Sequence, residues 1–273
     1  MNLREYSLPV GWYPQDSAEI SRFLRDFTPL TGNAGAAIAP HAGWFFSGRI
    51  AARAVASLDP AAETVAVLGG HLPAGAPPLF ATEDAVQTPL GPMVIDAALR
   101  SLLFTALEGK EDRYRDNTVE VLLPMLRFFF PQAKLLWLRL PAELSSFEAG
   151  KKIAAAAQKL NRKLTVLAST DLTHYGSNYG FTPHGSGAES LTWVKEVNDK
   201  NFIRAVESGK SGAVLERAEQ DQSCCSAGAV LGAMGFAKER GLGNARLLEY
   251  GVSADALPGE EAESFVGYGA FVF

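Results

Sequence analysis

Three of the four histidines follow apolar, strand-like runs. Ala36-Ala37-Ile38-Ala39-Pro40 leads to His41, Thr64-Val65-Ala66-Val67-Leu68-Gly69-Gly70 to His71, and Leu164-Thr165-Val166-Leu167-Ala168-Ser169-Thr170 to Asp171 and His174. The cysteine pair Cys224-Cys225 comes late in the chain. Strands that enter one sheet in parallel deliver their C-terminal ends to a single edge, which is where open α/β folds bind ligands. Imidazole nitrogens with a thiolate form a donor set for zinc, iron or copper rather than for magnesium. The order His, His, His, Cys lacks the short spacing of a zinc finger, so such a site must be assembled by the tertiary fold.

Each residue also has a plainer reading. A lone histidine at a strand end is usually a hydrogen-bonded turn residue; two of them, His41 before Ala42-Gly43 and His71 after Gly69-Gly70, shift the balance towards ligands. In Ser169-Thr170-Asp171-Leu172-Thr173-His174-Tyr175-Gly176, Asp171 and His174 can face a cleft. His174 there either binds the metal or moves a proton beside it, because its ordinary pKa lies close to working pH. The alternative is that Asp171 caps a turn and His174 donates to a backbone carbonyl. Cys225 opens a predicted helix, whose dipole favours a thiolate, while Cys224 reads equally well as a small core residue. Glu120 is either a general base or an acid satisfied by a helix start. Trp44, Phe45 and Phe46 read as packing residues before pocket residues, and His184 as a surface loop residue.

The elements that position these residues follow from periodicity. Asp16-Ser17-Ala18-Glu19 has the form of a capping box, with Ile20, Phe23, Leu24 and Phe27 on one face of the helix after it. The run to His41 passes through a loop at Ala42–Gly48 into a helix with Ile50, Ala54, Val55 and Leu58 inward. The strand at 64–68 completes a βαβ unit. Residues 74–96, rich in Pro, Gly and Thr, predict a hairpin turning at Thr88–Pro92. Helices are predicted near 97–107 and 118–129, with Pro124 kinking the second or marking its first turn. A strand at 135–140, a helix at 146–160 and a strand at 164–169 come next. Helices at 187–207, 210–218 and 225–239 and strands at 245–251 and 264–272 close the chain. Strands alternating with helices, several near-continuously apolar, predict a three-layer αβα sandwich with a mostly parallel central sheet, as one domain over residues 1–273.

Composition excludes some function classes. Of the 273 residues 47% are hydrophobic, sixteen of them phenylalanine, enough for a large core. A net charge of -5 without a Lys/Arg cluster argues against nucleic acid as a partner. No apolar stretch approaches bilayer length and no leader pattern is present, so no membrane partner is expected. Neighbouring Cys224 and Cys225 can pair only through a strained ring, and free thiols suit a reducing compartment. A soluble, cytoplasmic protein acting on a small molecule is the expectation.

At Pro40-His41-Ala42-Gly43-Trp44-Phe45-Phe46-Ser47-Gly48 the chain resembles the Memo family, whose bacterial and archaeal members are called AmmeMemoRadiSam system protein B. The likeness extends through Gly11-Trp12-Tyr13-Pro14, Gly70-His71, Thr88-Pro89-Leu90-Gly91, Val119–Pro124, Ser169–Gly176 and Tyr250-Gly251-Val252-Ser253, in the family's order. The resemblance implies a fold similar to class III extradiol ring-cleaving dioxygenases, which hold non-haem iron with two histidines and a carboxylate. It also implies metal ligands at His41, His71 and a cysteine, with Asp171 and His174 as catalytic groups in the same pocket. Matching Cys225-Ser226-Ala227-Gly228 to the family's Cys-Gly-x-Gly makes that cysteine Cys225. Two departures stand out: Asp116-Asn117-Thr118 replaces a Glu-His-Ser, and Ser226 replaces the glycine. The implied function is a metal-dependent, dioxygenase-like oxidoreductase with iron first and copper or zinc as alternatives. A zinc-type hydrolase and a non-enzymatic metal- or peptide-binding module compete with it, and the bacterial name implies a functional link to a radical-SAM protein.

Overall fold

A computed structural model describes residues 2–27, 32–259 and 263–273. The strands, in chain order, are β1 (Leu3–Arg4), β2 (Ala36–Ala39), β3 (Thr64–Leu72), β4 (Leu79–Phe80), β5 (Ala85–Val86), β6 (Met93–Val94), β7 (Lys110–Glu111), β8 (Lys134–Pro141), β9 (Leu164–Ser169), β10 (His174–Gly176), β11 (Arg246–Val252) and β12 (Ser264–Val272). Nine form one mixed sheet ordered β10-β12-β2-β9-β3-β8-β4-β7, with β11 paired to β12. Its four central strands, β2, β9, β3 and β8, are mutually parallel. Antiparallel strands flank them: β12 on β2 and β4 on β8. The predicted hairpin is the β5–β6 pair, which β1 extends into a separate three-stranded sheet.

The central strands are apolar on both faces because helices cover both faces. Alternate residues divide between two cores, as a period of two requires. Ala37, Ala39, Val65, Val67, Leu135, Trp137 and Leu167 face the helices Trp44–Ala56 and Leu123–Phe129. Ile38, Ala66, Leu68, Leu136, Leu138, Val166 and Ala168 face the helices Ser145–Lys159, Asp199–Glu207 and Ala227–Arg240. This is the three-layer arrangement expected. Among the described residues no helix is long and apolar enough to cross a membrane.

Several boundaries differ from the sequence expectation, each for a local reason. The helix after His41 begins at Trp44, not after Gly48, because Trp44 N–H donates to Trp12 O at 2.8 Å and fixes its first turn. Pro124 falls in the first turn of Leu123–Phe129, so the predicted 118–129 helix becomes that helix and the short Asn117–Glu120. The predicted 187–207 helix contains a π-helical turn at Val194–Asn198. Asp16 caps Ser17–Leu24 by accepting from Glu19 N at 2.9 Å.

Helices Ser145–Lys159 and Ala227–Arg240 pack backbone to backbone. A Cβ on Gly150 would collide with Gly232 O and lie 2.7 Å from Phe236 N, and one on Gly235 would collide with Phe147 O. Gly150→Ala is therefore expected to destabilise the fold by roughly 1–3 kcal/mol, the usual range for overpacking, despite alanine's better helix propensity. Chemical denaturation measures this; an unchanged midpoint would contradict the packing account.

Candidate metal centre

The parallel register of β2, β9 and β3 decides which residues meet. His41 follows β2 and His71 lies near the end of β3, with Ser169 and Asp171 at the end of β9 between them. Cys225 arrives from the opposite layer, just ahead of Ala227–Arg240. One donor atom each from His41, His71 and Cys225 lie within 4.8 Å of one another, close enough to hold one metal ion. Cys225 Sγ is 3.3 Å from His41 Nε2, and the two imidazole rings meet edge to face with centroids 4.9 Å apart.

Each imidazole is oriented through its other nitrogen, as ligating histidines are. His41 Nδ1 pairs with Ser169 Oγ at 2.9 Å, and His71 Nδ1 with Asp116 Oδ2 at 3.1 Å. Asp116 belongs to a buried ion network. Arg139 pairs with it at 3.2 Å and with Asp112 at 3.3 Å, while its Nε donates to Gly70 O at 2.9 Å. Burial alone would lower the His71 pKa, but the hydrogen bonds to Asp116 and Cys225 outweigh it and lift it to about 9. Burial likewise opposes ionisation of Asp116, yet His71, Thr118 and Arg139 hold its pKa at about 2. His71 must therefore release a proton when it takes a metal.

The backbone around His71 is unusual. His71 has φ of 57°, which a non-glycine residue adopts only when its surroundings impose it. Gly69 and Gly70 bring β3 against Thr118 and Ser226; a Cβ on Gly70 would lie 2.8 Å from Ser226 Cα and collide with its side chain. Ser226, where the resembled family carries glycine, is thus accommodated by Gly70 across the contact. The helix dipole is not what serves Cys225, because the helix begins two residues later. Asp171 N–H instead donates to Cys225 Sγ at 3.3 Å. Cys224 points away to Thr170 Oγ1 at 3.1 Å, and burial raises its pKa, keeping it a thiol.

The loop carrying Asp171 and His174 is held from behind. Asp171 accepts from His41 N at 2.7 Å through Oδ1; among the described residues its Oδ2 has no hydrogen-bond donor, lying 3.8 Å from His41 Nε2. Thr173 donates from both its backbone N–H and its hydroxyl to Asp199, which also accepts from Tyr250 OH at 2.8 Å. Asn198 Nδ2 donates to Thr173 Oγ1 at 2.9 Å. The π-helical turn before Asp199 places both side chains on Thr173, the kind of local rewinding seen at functional sites. Burial lowers the His174 pKa, and repulsion from His41 and His71 adds to this against the opposing pull of Asp171.

A cavity of about 730 Å³ opens in front of these groups, lined among others by His41, His71, Asp171, His174 and Tyr268. Tyr268 from β12, Tyr179 and Asn117 were not foreseen, since an isolated Tyr or Asn carries no spacing signal. Asn117 Nδ2 donates to His41 O at 3.0 Å. Trp44 is buried against Phe23 and Tyr13, but Phe45 and Phe46 are exposed and line the cavity, so the packing reading holds only for the first of the three. Glu120 is neither a base in the cavity nor only a helix-start acid. It is buried, and accepts from Ser7 N at 2.8 Å, Leu8 N at 2.7 Å and Ser7 Oγ at 2.7 Å, clasping the N-terminal arm whose Val10, Gly11 and Trp12 wall the cavity. His184 is exposed, its ring 4.2 Å from that of Trp193 and tilted by 35°.

Imidazole nitrogens from two strand ends and a cysteine sulfur from the opposite layer, gathered at one edge of the parallel core of the sheet, define an α/β protein with a fold-assembled candidate metal centre. The chain belongs to the Memo family, whose pattern, described as Memo-like protein, matches residues 4–272. It is 30% identical over 281 residues to a MEMO1 family protein of Pyrococcus furiosus, covering 96% of this chain and 95% of that protein. It is also 30% identical over 280 residues to a MEMO1 family protein of Methanococcoides burtonii, covering 99% of each. An uncharacterized protein of Escherichia coli K12 superposes with a TM-score of 0.44 at 13% identity, over 88% of this chain and 100% of that one, a likeness that bears on no argument here.

Two predictions follow from these networks. Arg139→Gln cannot hold Asp112 and Asp116 together, and should weaken metal binding by about 10- to 100-fold, the usual cost of losing such support. Competition against a chelator measures it, and an unchanged affinity in a folded variant would show that His71 is oriented without Arg139. For Asp199, burial raises the pKa from 3.8 to about 6 against the pull of Thr173 and Tyr250. The folded protein therefore holds this proton at pH values where the unfolded chain has lost it. Stability contributed here falls as pH rises from about 4 to about 6, by up to about 3 kcal/mol, and is level above. In Asp199→Asn that slope should vanish, as pH-dependent denaturation would show.

Proposed function

We propose that this chain is a metal-dependent oxidoreductase of dioxygenase-like type, with non-haem iron at His41, His71 and Cys225. The observation that carries the reading is the convergence of two oriented imidazoles and one cysteine sulfur beside a cavity walled by a second set of proton-handling groups. The donor set fits a borderline metal: two neutral nitrogens and one anionic sulfur suit iron, copper or zinc and are too soft for magnesium. Iron would supply one-electron chemistry towards dioxygen.

The remaining steps belong to this chain's own residues. His41 and His71 present Nε2 because Ser169 and Asp116 occupy their Nδ1 atoms. Asp171 faces the cavity with an oxygen that has no hydrogen-bond partner among the described residues, and can accept a proton from a substrate hydroxyl. His174, kept neutral by burial, is suited to take a proton and return it. Tyr268 completes the wall as a hydroxyl donor, its pKa raised by burial and by Asp171. Trp12 and Phe46 contribute apolar surface to the cavity wall.

Elemental analysis of protein purified without a chelating tag, combined with an oxygen electrode, tests the reading. The expected result is about one iron per chain and oxygen uptake in the presence of a reducing substrate. His41→Ala, His71→Ala and Cys225→Ser should each lose most of the metal while keeping the fold, and Cys224→Ser should retain it. Zinc with no oxygen uptake would replace this reading by a hydrolase in which Asp171 is the base for a metal-activated water. Equal metal content in all four variants would end both.

A further inference from the structure

We propose that Cys224 and Cys225 form a peroxide-sensitive modification site, in which oxidation joins the two neighbouring thiols in a ring disulfide and withdraws the Cys225 sulfur from His41 and His71. The bond itself stands on the thiols and the loop that carries them; its effect on a metal rests on the metal-site reading.

The candidate centre uses one sulfur of the two, and the other is held beside it. Cys224 Sγ lies 3.1 Å and Cys225 Sγ 3.6 Å from the same hydroxyl, Thr170 Oγ1. That hydroxyl donates its own proton to Asp171 O at 2.8 Å and accepts from Ser226 N–H at 3.2 Å. Its second lone pair takes the S–H of Cys224, which leaves the Cys224 sulfur lone pairs open to form a bond. Both cysteines are half-buried, within reach of a small oxidant. Neither lines the large cavity, so a molecule filling that cavity does not cover them.

The loop is fixed on both sides of the pair and lightly held between. Ser223 Oγ donates to Arg217 O at 2.9 Å on one side, and Ser226 is tied to Thr170 on the other. Among the described residues the peptide unit that joins the two cysteines has one hydrogen bond, a long one from Cys225 N–H to Asp171 O at 3.3 Å. Closing the ring requires that unit to rotate, and little opposes it. Neighbouring Cα atoms are about 3.8 Å apart, less than a relaxed disulfide spans, so the ring is strained. A strained disulfide is readily reduced again, which makes it a switch and not a staple.

The oxidant is hydrogen peroxide. One thiol sulfur attacks a peroxide oxygen, the O–O bond breaks, and the other oxygen leaves as water with the thiol proton. The second sulfur then displaces the oxygen of the sulfenic acid, the S–S bond forms, and a second water leaves. Two thiols have lost two electrons and the peroxide has gained them. Attack by either sulfur gives the same ring.

Chelator-treated protein exposed to excess hydrogen peroxide, followed by intact mass, peptide mapping and zinc titration, tests this. The product should be a monomer lighter by two hydrogens, with both cysteines blocked in one peptide. Its zinc affinity should fall by more than about 100-fold, beyond the usual cost of losing an outer-shell partner, and dithiothreitol should restore it. Cys224→Ser should bind zinc as the parent does when reduced, yet under peroxide gain oxygen atoms at Cys225 and fail to recover with dithiothreitol. A parent protein that gains oxygen atoms as this variant does, or that pairs only between chains, overturns the inference. A ring disulfide that leaves zinc affinity unchanged upholds the modification site and overturns the place of Cys225 in the metal centre.

Discussion

The close approach at the end of β3 is the constraint on which the site depends. Three layers must come together where Gly69 and Gly70 pass Thr118 on one side and Ser226 on the other. Without side chains at those two positions, the thiol from the far layer and the imidazole on β3 reach the same small volume. The left-handed backbone at His71 carries a cost of roughly 1–2 kcal/mol. Its surroundings impose it: Arg139 holds Gly70 O, and Asp116 holds the ring. Packing in this place is therefore already a statement about chemistry, because a shift of the backbone by one methyl group would separate the donors.

Behind the donors, buried carboxylates divide into two kinds. Asp112 and Asp116 share Arg139 and are further hydrogen-bonded by Trp137, Thr118 and His71, so they act as fixed structure. Among the described residues Asp199 has no cationic partner and is stabilised by Thr173 and Tyr250, and its raised pKa records the shortfall. It nonetheless holds the loop from which Asp171 and His174 project. Asp171 is intermediate, satisfied at one oxygen and unpaired at the other. Compensation thus declines from the core of the sheet towards the cavity, and the least satisfied group is the one a substrate would meet.

Much of this was legible in the sequence. Near-continuous apolar runs marked β2, β3, β8 and β9, and the parallel rule placed their ends together, so His41, His71 and Asp171 could be grouped from the sequence alone. Cys225 against Cys224 could not be decided from residue types; only the resemblance to a family block separated them, and it is the Cys225 sulfur that lies within 4.8 Å of donor atoms of both histidines. Asp116 and Arg139 were invisible because their importance lies in contacts across 45 and 69 residues, to His71 and Gly70, with no local pattern. Glu120 was misjudged for the same reason, since its partners Ser7 and Leu8 lie more than a hundred residues away. Boundary errors had local causes, such as the hydrogen bond from Trp44 to Trp12 that starts a helix early.

The cavity has a rigid back and a separately built front, and this bears on how such a protein can change its ligand. The back is strand ends and the buried network, where Gly70, Arg139 and Asp116 leave little room for substitution. The front is the N-terminal arm pinned by Glu120, the first turn of Trp44–Ala56 and the segment around Leu257. Loops held on a rigid scaffold are where binding specificity usually resides. Val10 and Phe45 line the cavity at exposed positions. Altering them would change what enters while leaving the donor triad in place, so the chemistry and its selectivity are carried by different parts of the chain.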